Sequence, residues 1–409
     1  MTTDLTFSHL ETEDDAAQHL RLMRDVFGQD SMVDLMVSKW VEHHPTMTLE
    51  DFFVIKHHGK IVACLNLIPS RWRIGGVLLK VAELGCVATL PEYRHQRLQT
   101  RLMREYHRKV SEDGYDLSAI EGIPYYYRQF GYEYALPLLE ETRVAINKIP
   151  DYKCMHVIRP FTNQDIFRAT QLLTKTQGKF YVHATRDKGI WKMHEKTGRV
   201  AEYCFKGYGV EENDEMGAYF RMSENSESKE LFLREITDVG QSMAQSILGF
   251  LKDTGKEKGL EILAATVSHH DSLAEHLMAT GEARQNQPYA WQIRVTDYTN
   301  ILLKMRTLFE KRLAASTFCH FNGKLSFNFY RYTVQMTLED GTITDVQRLE
   351  DNEDRNVRLN PTVFTQLLLG HRNRAELEAI YPDFLIKPSH KHLIDTLFPK
   401  LPSYIHTDY

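Results

Sequence analysis

Two short runs hold the residues best suited to chemistry. The first is Tyr93-Arg94-His95-Gln96-Arg97-Leu98-Gln99. It follows an apolar, strand-compatible stretch containing Val81, Leu84, Val87 and Ala88. After it, Leu98, Leu102, Tyr106 and Val110 recur every fourth residue, the spacing of one helix face. Pro91 ends the strand, because proline cannot donate to a sheet ladder. A strand that feeds a helix leaves unpaired backbone N–H groups and a positive dipole end aimed at one spot, which suits a phosphate. Arg94, His95 and Arg97 add side-chain charge there. The second run is GIPYYYRQFGYEYAL, residues 122–136. A phenol, with a pKa near ~10, can donate a hydrogen bond or a proton to a leaving group. Tyr125, Tyr126 and Tyr127 equally suit an aromatic wall of the core, and for Tyr125 and Tyr126 that is the favoured reading.

Positioning these runs takes a sheet with helices on it. Apolar periodicity predicts helices over 11–27 and 31–40, a hairpin of strands 52–56 and 60–68, the central strand 78–89 and a further strand over 116–121. His57-His58-Gly59 supplies the glycine that a hairpin turn often needs. A strand over 140–149 closes this part, and 150–153 reads as a boundary. Helices over 163–177 and 187–196 follow, with strands over 201–206, 215–222 and 231–237. A helix over 241–252, a strand over 260–267 and a helix over 271–279 then repeat the strand–helix order of the first part, without its basic turn. A strand over 289–295 and a helix over 298–315 lead into the last part, where strands over 324–330, 333–338 and 343–349 precede three helices. Asp340-Gly341 is the hairpin signal there, and sheet followed by helices argues an α+β unit.

The 409 residues, 42% of them hydrophobic, are enough for two or three cores at about 100–200 residues each. Charged residues make up 26% and the net charge is −5, without the basic surplus of a nucleic-acid binder. No run approaches the roughly 20 apolar residues of a membrane span. The start, MTTDLTFSHLETEDD, lacks the apolar region of a secretory signal, so a cytoplasmic protein is expected. The five cysteines are scattered and never form C-x-x-C, which reads as reduced thiols. Histidine pairs occur at His43-His44, His57-His58 and His269-His270, but neighbours point in different directions, and no metal is expected. The basic run Arg101, Arg104, His107, Arg108, Lys109 reads as a solvated helix face.

Residues 81–103 resemble the acetyl-CoA motif of GNAT-type N-acetyltransferases. Val87, Pro91, Tyr93, Arg94, Leu98, Leu102 and Met103 fit the pattern, while Arg97 and Gln99 stand where the family has its two turn glycines. The Tyr-x-x-Phe-Gly-Tyr segment, Tyr127 to Tyr132, is similar to a second GNAT segment at the matching place. The order of all three parts resembles the enhanced-intracellular-survival type of acetyltransferase, whose last domain is similar to sterol carrier proteins.

The resemblance implies an α/β (α+β) architecture of two tandem GNAT-like mixed-sheet domains and a sterol-carrier-like α+β domain. Its parts are a GNAT acetyl-CoA-binding domain at 1–150, a degenerate GNAT-like domain at 151–296 and the last domain at 297–409. It implies acetyl-CoA as co-substrate, held by Val87, Ala88 and Thr89 along its arm and by Arg94, His95, Gln96, Arg97, Leu98 and Gln99 at its pyrophosphate. It makes Tyr127 the general acid to the departing thiolate. It makes Glu121, water or the terminal carboxylate of Tyr409 the acceptor of the amine's proton. Glu83 and Glu121 would lie on the amine side, where they orient a cationic amine or serve only as strand-end charges. The expected reaction is acetyl transfer to a primary amine of a small-molecule or peptide acceptor, a cationic one being favoured, by a homo-oligomer without nucleic-acid or membrane partners. The competing expectation is a catalytically silent scaffold or apolar-ligand binder, because both turn glycines are replaced.

Overall fold

The computed structural model describes residues 4–350 and 356–406. The first unit opens with strand β1 (Leu5–His9), helix α1 (Glu13–Phe27) and helix α2 (Val33–His43). Helix α1 starts two residues later than its apolar pattern begins, because Thr12 and Asp15 form a capping box. Strands β2 (Phe52–His57), β3 (Lys60–Ile74) and β4 (Val77–Thr89) follow as an antiparallel meander. A 3-10 turn at Pro91–Tyr93 then leads to helix α3 (Leu98–Glu112), β5 (Leu117–Ile120) and β6 (Glu133–Leu138). The α3 stripe of Leu98, Leu102, Met103, Tyr106 and Val110 is buried, and the Tyr106 hydroxyl donates to the Ala82 carbonyl at 3.0 Å. That stripe locks the helix to the sheet through apolar burial, the main source of helix stability in a fold.

Sheet membership does not follow chain order. The first sheet runs β1-β2-β3-β4-β5, then Tyr289–Val295, then β6. Thr142–Ala145, which follows β6 directly in the chain, pairs instead with Ile262–Ala265 in a second, seven-stranded sheet. Strands therefore cross the division expected at 150 in both directions. Trp291 anchors the inserted strand: it is 1% exposed and meets Trp72 edge-on at 5.8 Å.

The second sheet repeats the logic of the first. In each, one parallel strand pair is joined by a helix: β4 and β5 through α3, and Glu230–Ile236 with Ile262–Ala265 through Gln241–Glu257. The strand expected over 201–206 is instead a two-stranded hairpin, Arg199–Val200 with Tyr203–Cys204. The helix expected over 298–315 breaks at Met305 into Tyr298–Lys304 and Arg306–Ala314. The third sheet has five strands, with helices Pro361–Leu368, Arg374–Ile380 and Lys391–Leu397 after it. Its core is continuous with that of the first unit, since Trp72, Val81 and Trp291 belong to the same cluster as Phe327, Phe364 and Leu397. Among the described residues no helix is long and apolar enough to cross a membrane.

Candidate active site

Strand β5 pairs with β4 only at Val81, Ala82 and Glu83. Strand β4 runs on to Thr89, so its residues beyond Glu83 leave β5 and border a wedge. A bulge sharpens the parting. The β3–β4 register shifts between Cys64 and Asn66, and Cys86 adopts a left-handed φ of 49°. The wedge is a cleft of about 520 Å³. Val87, Thr89, Arg94, Gln99, Glu121 and Tyr127 line it together. Ala88 and Leu98 are buried in the core instead, 2% and 5% exposed. His95, Gln96 and Arg97 are exposed on the turn and do not line the cleft. Tyr409 lies outside the described residues.

The two positions without glycine behave oppositely. Arg97 holds the left-handed conformation itself, with φ 58° and ψ 25°, and its side chain is exposed. Such a conformation costs an L-residue about 1–2 kcal/mol, which a glycine avoids. Gln99 turns inward. Its Nε2 reaches the Ala88 carbonyl at 2.7 Å, Thr89 Oγ1 at 2.9 Å and the Cys64 carbonyl at 3.2 Å. Its Oε1 is buried without a partner among the described residues. No side chain caps α3, and no described hydrogen bond uses the N–H groups from His95 to Thr100. These free donors, with exposed Arg94 and Arg97, have the geometry and charge that suit an anion at the helix start. Arg97→Gly is therefore expected to keep or raise the melting temperature. It should weaken coenzyme A binding about fivefold at low salt, worth about 1 kcal/mol, with the difference shrinking as salt rises. Calorimetry at two ionic strengths checks this.

Tyr127 sits in a 3-10 turn, Tyr126–Phe130, after β5. It is 5% exposed and lines the cleft, and its hydroxyl has no partner among the described residues. Burial, with Tyr126 and Tyr132 beside it, pushes this phenol well above its ordinary range. Its ring lies over Gly122: a Cβ there would stand 2.4 Å from two ring carbons. Gly122→Ala must displace the ring, so a loss of about 10²-fold in turnover is expected with coenzyme A affinity kept. A steady-state assay beside a binding titration checks it. Tyr126 also lines the cleft, while Tyr125 is 70% exposed with φ 63°, so it is not the core wall that its aromatic neighbours suggest. The Arg128 guanidinium lies over the rings of both Tyr125 and Tyr134.

The inserted strand holds this loop. Gln292, fully buried, donates from Nε2 to the Gly122 carbonyl at 2.9 Å, and the Tyr289 hydroxyl donates to the same oxygen at 2.9 Å. Tyr289 and Gln292 are 167 and 170 positions from the glycine they hold, and nothing in the local sequence pattern marks them. Val33, Met36 and Trp40 of α2 form the apolar side of the cleft, and Glu202 of the small hairpin lines it too. All three lie on the helix expected over 31–40.

A second cavity, of about 630 Å³, meets the cleft at Ile68 and Glu83. The end of the described chain reaches it. Pro402 accepts from the Tyr181 N–H at 2.7 Å, the Tyr404 N–H donates to Val182 at 3.0 Å, and Ile405 and His406 line the wall. Beside His406 lies a buried ion network. Arg186 binds Glu235 through two bonds of 2.9 and 2.7 Å, and the Tyr219 hydroxyl donates to Glu235 at 2.8 Å. Burial raises the Glu235 carboxyl, but Arg186 and Arg221 override it and hold the group well below the usual carboxylate range. Among the described residues no cluster of three or more His, Cys, Asp or Glu side chains is placed to hold a metal.

A parallel strand pair that splays beside a bulge, with a basic turn entering a helix, defines the fold of GCN5-related N-acetyltransferases. Residues 9–135 match the acetyltransferase (GNAT) domain family, and the protein carries a GNAT domain, in the layout of Eis-type proteins. GNAT domains use acetyl-CoA. The chain is similar over 99% of its length, and all of the other's, to the GCN5-related N-acetyltransferase from Anabaena variabilis ATCC 29413, with 15% identity and a TM-score of 0.74. It is similar over the full length of both chains to a conserved protein of unknown function, probable N-acyltransferase, from Enterococcus faecalis V583, with 15% identity and a TM-score of 0.73. Eis1 from Mycobacterium abscessus, at 13% identity, has a TM-score of 0.66 over 99% of this chain and 100% of that one. No curated protein matches the chain in sequence.

Proposed function

We propose that the protein is an acetyl-CoA-dependent N-acetyltransferase acting on a primary amine. The observation that carries this reading is the convergence of Val87, Thr89, Arg94, Gln99, Glu121 and Tyr127 on one cleft beside the open edge of β4. That edge suits the amides of the coenzyme arm, and Gln99 Oε1 adds a buried acceptor without a partner among the described residues. The N–H groups from His95 to Thr100, with Arg94 and Arg97, suit its pyrophosphate. Bound acetyl-CoA supplies an already activated thioester, so the protein's work is placement and charge.

In this reading the β4 edge holds the coenzyme arm and aims the acetyl carbon at the amine entering past Glu83. Glu83 and Glu121 orient the ammonium form of the acceptor and take up its proton through water. Tyr127 donates its proton to the departing sulfur, and its raised pKa keeps it protonated at neutral pH. The Tyr409 carboxylate remains a further proton acceptor in this proposal. Its support is that Ile405 and His406 line the cavity beside Glu83.

Calorimetric titration with acetyl-CoA at modest ionic strength tests the reading. Saturable binding near one site per chain is expected, followed by amine-dependent release of free thiol. Absence of binding at millimolar cofactor would overturn it in favour of a silent scaffold.

A further inference from the structure

The two ends of the cleft lie on opposite faces of the first sheet. On β2, Phe52 meets the His19 ring of α1 at 5.6 Å, and the next residue, Phe53, meets the Tyr106 ring of α3 at 6.0 Å. Consecutive strand residues point to opposite faces, so α1 and α3 cover opposite sides. The basic turn leads into α3 and Gln99 lies on that helix, which puts the phosphate end of the cleft on the α3 side. On the other side, Asn66 Oδ1 lies 3.1 Å from His19 Nε2, and the register partner of Asn66 is Gly85. The ladder runs on regularly to the pair Ile68–Glu83, two residues further, so Ile68 and Glu83 face the α1 side as well. A Cβ on Gly85 would stand 2.8 Å from Ile68 Cδ1 and 3.7 Å from the Trp40 ring, so α2 roofs this stretch of β4 at Trp40.

Outward from Trp40 this wall is apolar. Met36 and Val33 of α2 line it next, 4% and 8% exposed, and then Val26 and Phe27 at the end of α1. At 1.5 Å per residue, the helix from Trp40 to Val33 spans about 10 Å. Phe27 stays 41% exposed at the outer end, and Ile123 on the opposite lip is 64% exposed. Large apolar side chains left open together beside a cleft suit a ligand that covers them. No charged residue of α1 or α2 lines the cleft. The charges of this side gather at the inner end instead. Glu83 and Glu202 both line the cleft and both act on the Cys86 thiol, so the two carboxylates flank the β4 bulge. The buried ammonium of Lys39 feels Glu202 but does not line the cleft.

We propose that the acceptor is a singly charged primary amine with an apolar alkyl tail, its nitrogen held between Glu83 and Glu202 and its tail laid along Trp40, Met36, Val33 and Phe27. This rests on the transferase reading above for the chemistry, while the tail pocket stands on its own lining. In the transfer the nitrogen forms a bond to the acetyl carbon as the carbon–sulfur bond breaks. The proton of the amine passes through water to a carboxylate, and that of Tyr127 goes to the sulfur. A second ammonium on the tail would leave water beside Met36 and Val33 with no carboxylate of α1 or α2 lining the cleft to receive it, which costs binding.

The test uses the full chain with ethylamine, butylamine and hexylamine, and with 1,5-diaminopentane, which matches hexylamine in size but ends in a charge where hexylamine has a methyl group. Each is titrated into the protein by calorimetry and assayed as an acceptor by thiol release. Affinity should rise about threefold per added methylene, and hexylamine should bind about 10-fold more tightly than the diamine. Phe27 is partly exposed, so Phe27→Ala spares the core. In that variant the gain from butylamine to hexylamine should fall below about threefold, with the melting temperature and acetyl-CoA affinity unchanged. A flat series, a diamine that binds as tightly as hexylamine, a gain undiminished in Phe27→Ala, or no binding of any of the four would overturn the proposal. If the amines bind in the graded order but acetyl-CoA does not bind, the tail pocket stands and the transferase reading falls. If acetyl-CoA binds and all four amines are acetylated with equal KM, the transferase reading stands and the tail pocket falls.

Discussion

Tyr127→Phe is expected to slow acetyl transfer about 10²-fold, or about 2.7 kcal/mol in barrier, with acetyl-CoA affinity unchanged. The hydroxyl has no hydrogen-bond partner among the described residues, so its removal breaks nothing that holds the fold. The ring, packed over Gly122, stays where it is. The melting temperature should therefore move little, and the loss should fall on turnover. Because burial raises this phenol, no decline in the wild-type rate from its ionisation is expected anywhere near neutrality. Steady-state kinetics with a parallel binding titration decide it: unchanged turnover in the variant removes Tyr127 from the mechanism.

Acidification should destabilise the protein steeply between about pH 6.5 and pH 4. Burial holds four histidines near a pKa of about 4: His19, His44, His371 and His406. His107 is lower still, at about 3, through burial and then Arg294. His19 faces Asn66, and His44 lies near Lys39 and Asp187. His371 lies near Arg372, Lys400 and Glu376, and His406 near Glu235, Arg186, His183 and Lys179. The unfolded chain takes up protons at these sites below about pH 6.5, while the folded chain resists until about pH 4. The unfolded state therefore binds more protons in that window, and stability falls as pH falls. It is fully present above pH 6.5. One group contributes at most about 1.4 kcal/mol per pH unit, so five together remove several kcal/mol, comparable with a typical domain's whole stability. Thermal melts at pH 7, 6 and 5 should fall progressively. A flat profile would mean that these rings are solvated.

Much of the fold was legible because it is written in local patterns. The apolar repeat from Leu98 to Val110 and the break at Pro91 specify a strand, a turn and a helix within one short stretch, and that unit formed as expected. The second strand–helix–strand unit was readable in the same way. Tyr127 could be singled out because the residues around it carry the family's pattern.

Tertiary structure decided the rest, through pairings that no local window contains. An alternating strand such as Tyr289–Val295 looks the same whichever sheet it enters. Only the fit of Trp291 against Trp72 placed it beside β5, where Gln292 could hold the Gly122 carbonyl. Arg97 and Gln99 read alike as replaced glycines. Their different fates followed from backbone geometry: the helix start turned Arg97 outward, while the bulged carbonyls of Cys64 and Ala88 drew Gln99 in. The neighbourhood of Arg71 and Lys80 likewise exists only after folding. Arg71 and Lys80 are nine residues apart in the chain, and the β3–β4 register makes them opposite neighbours.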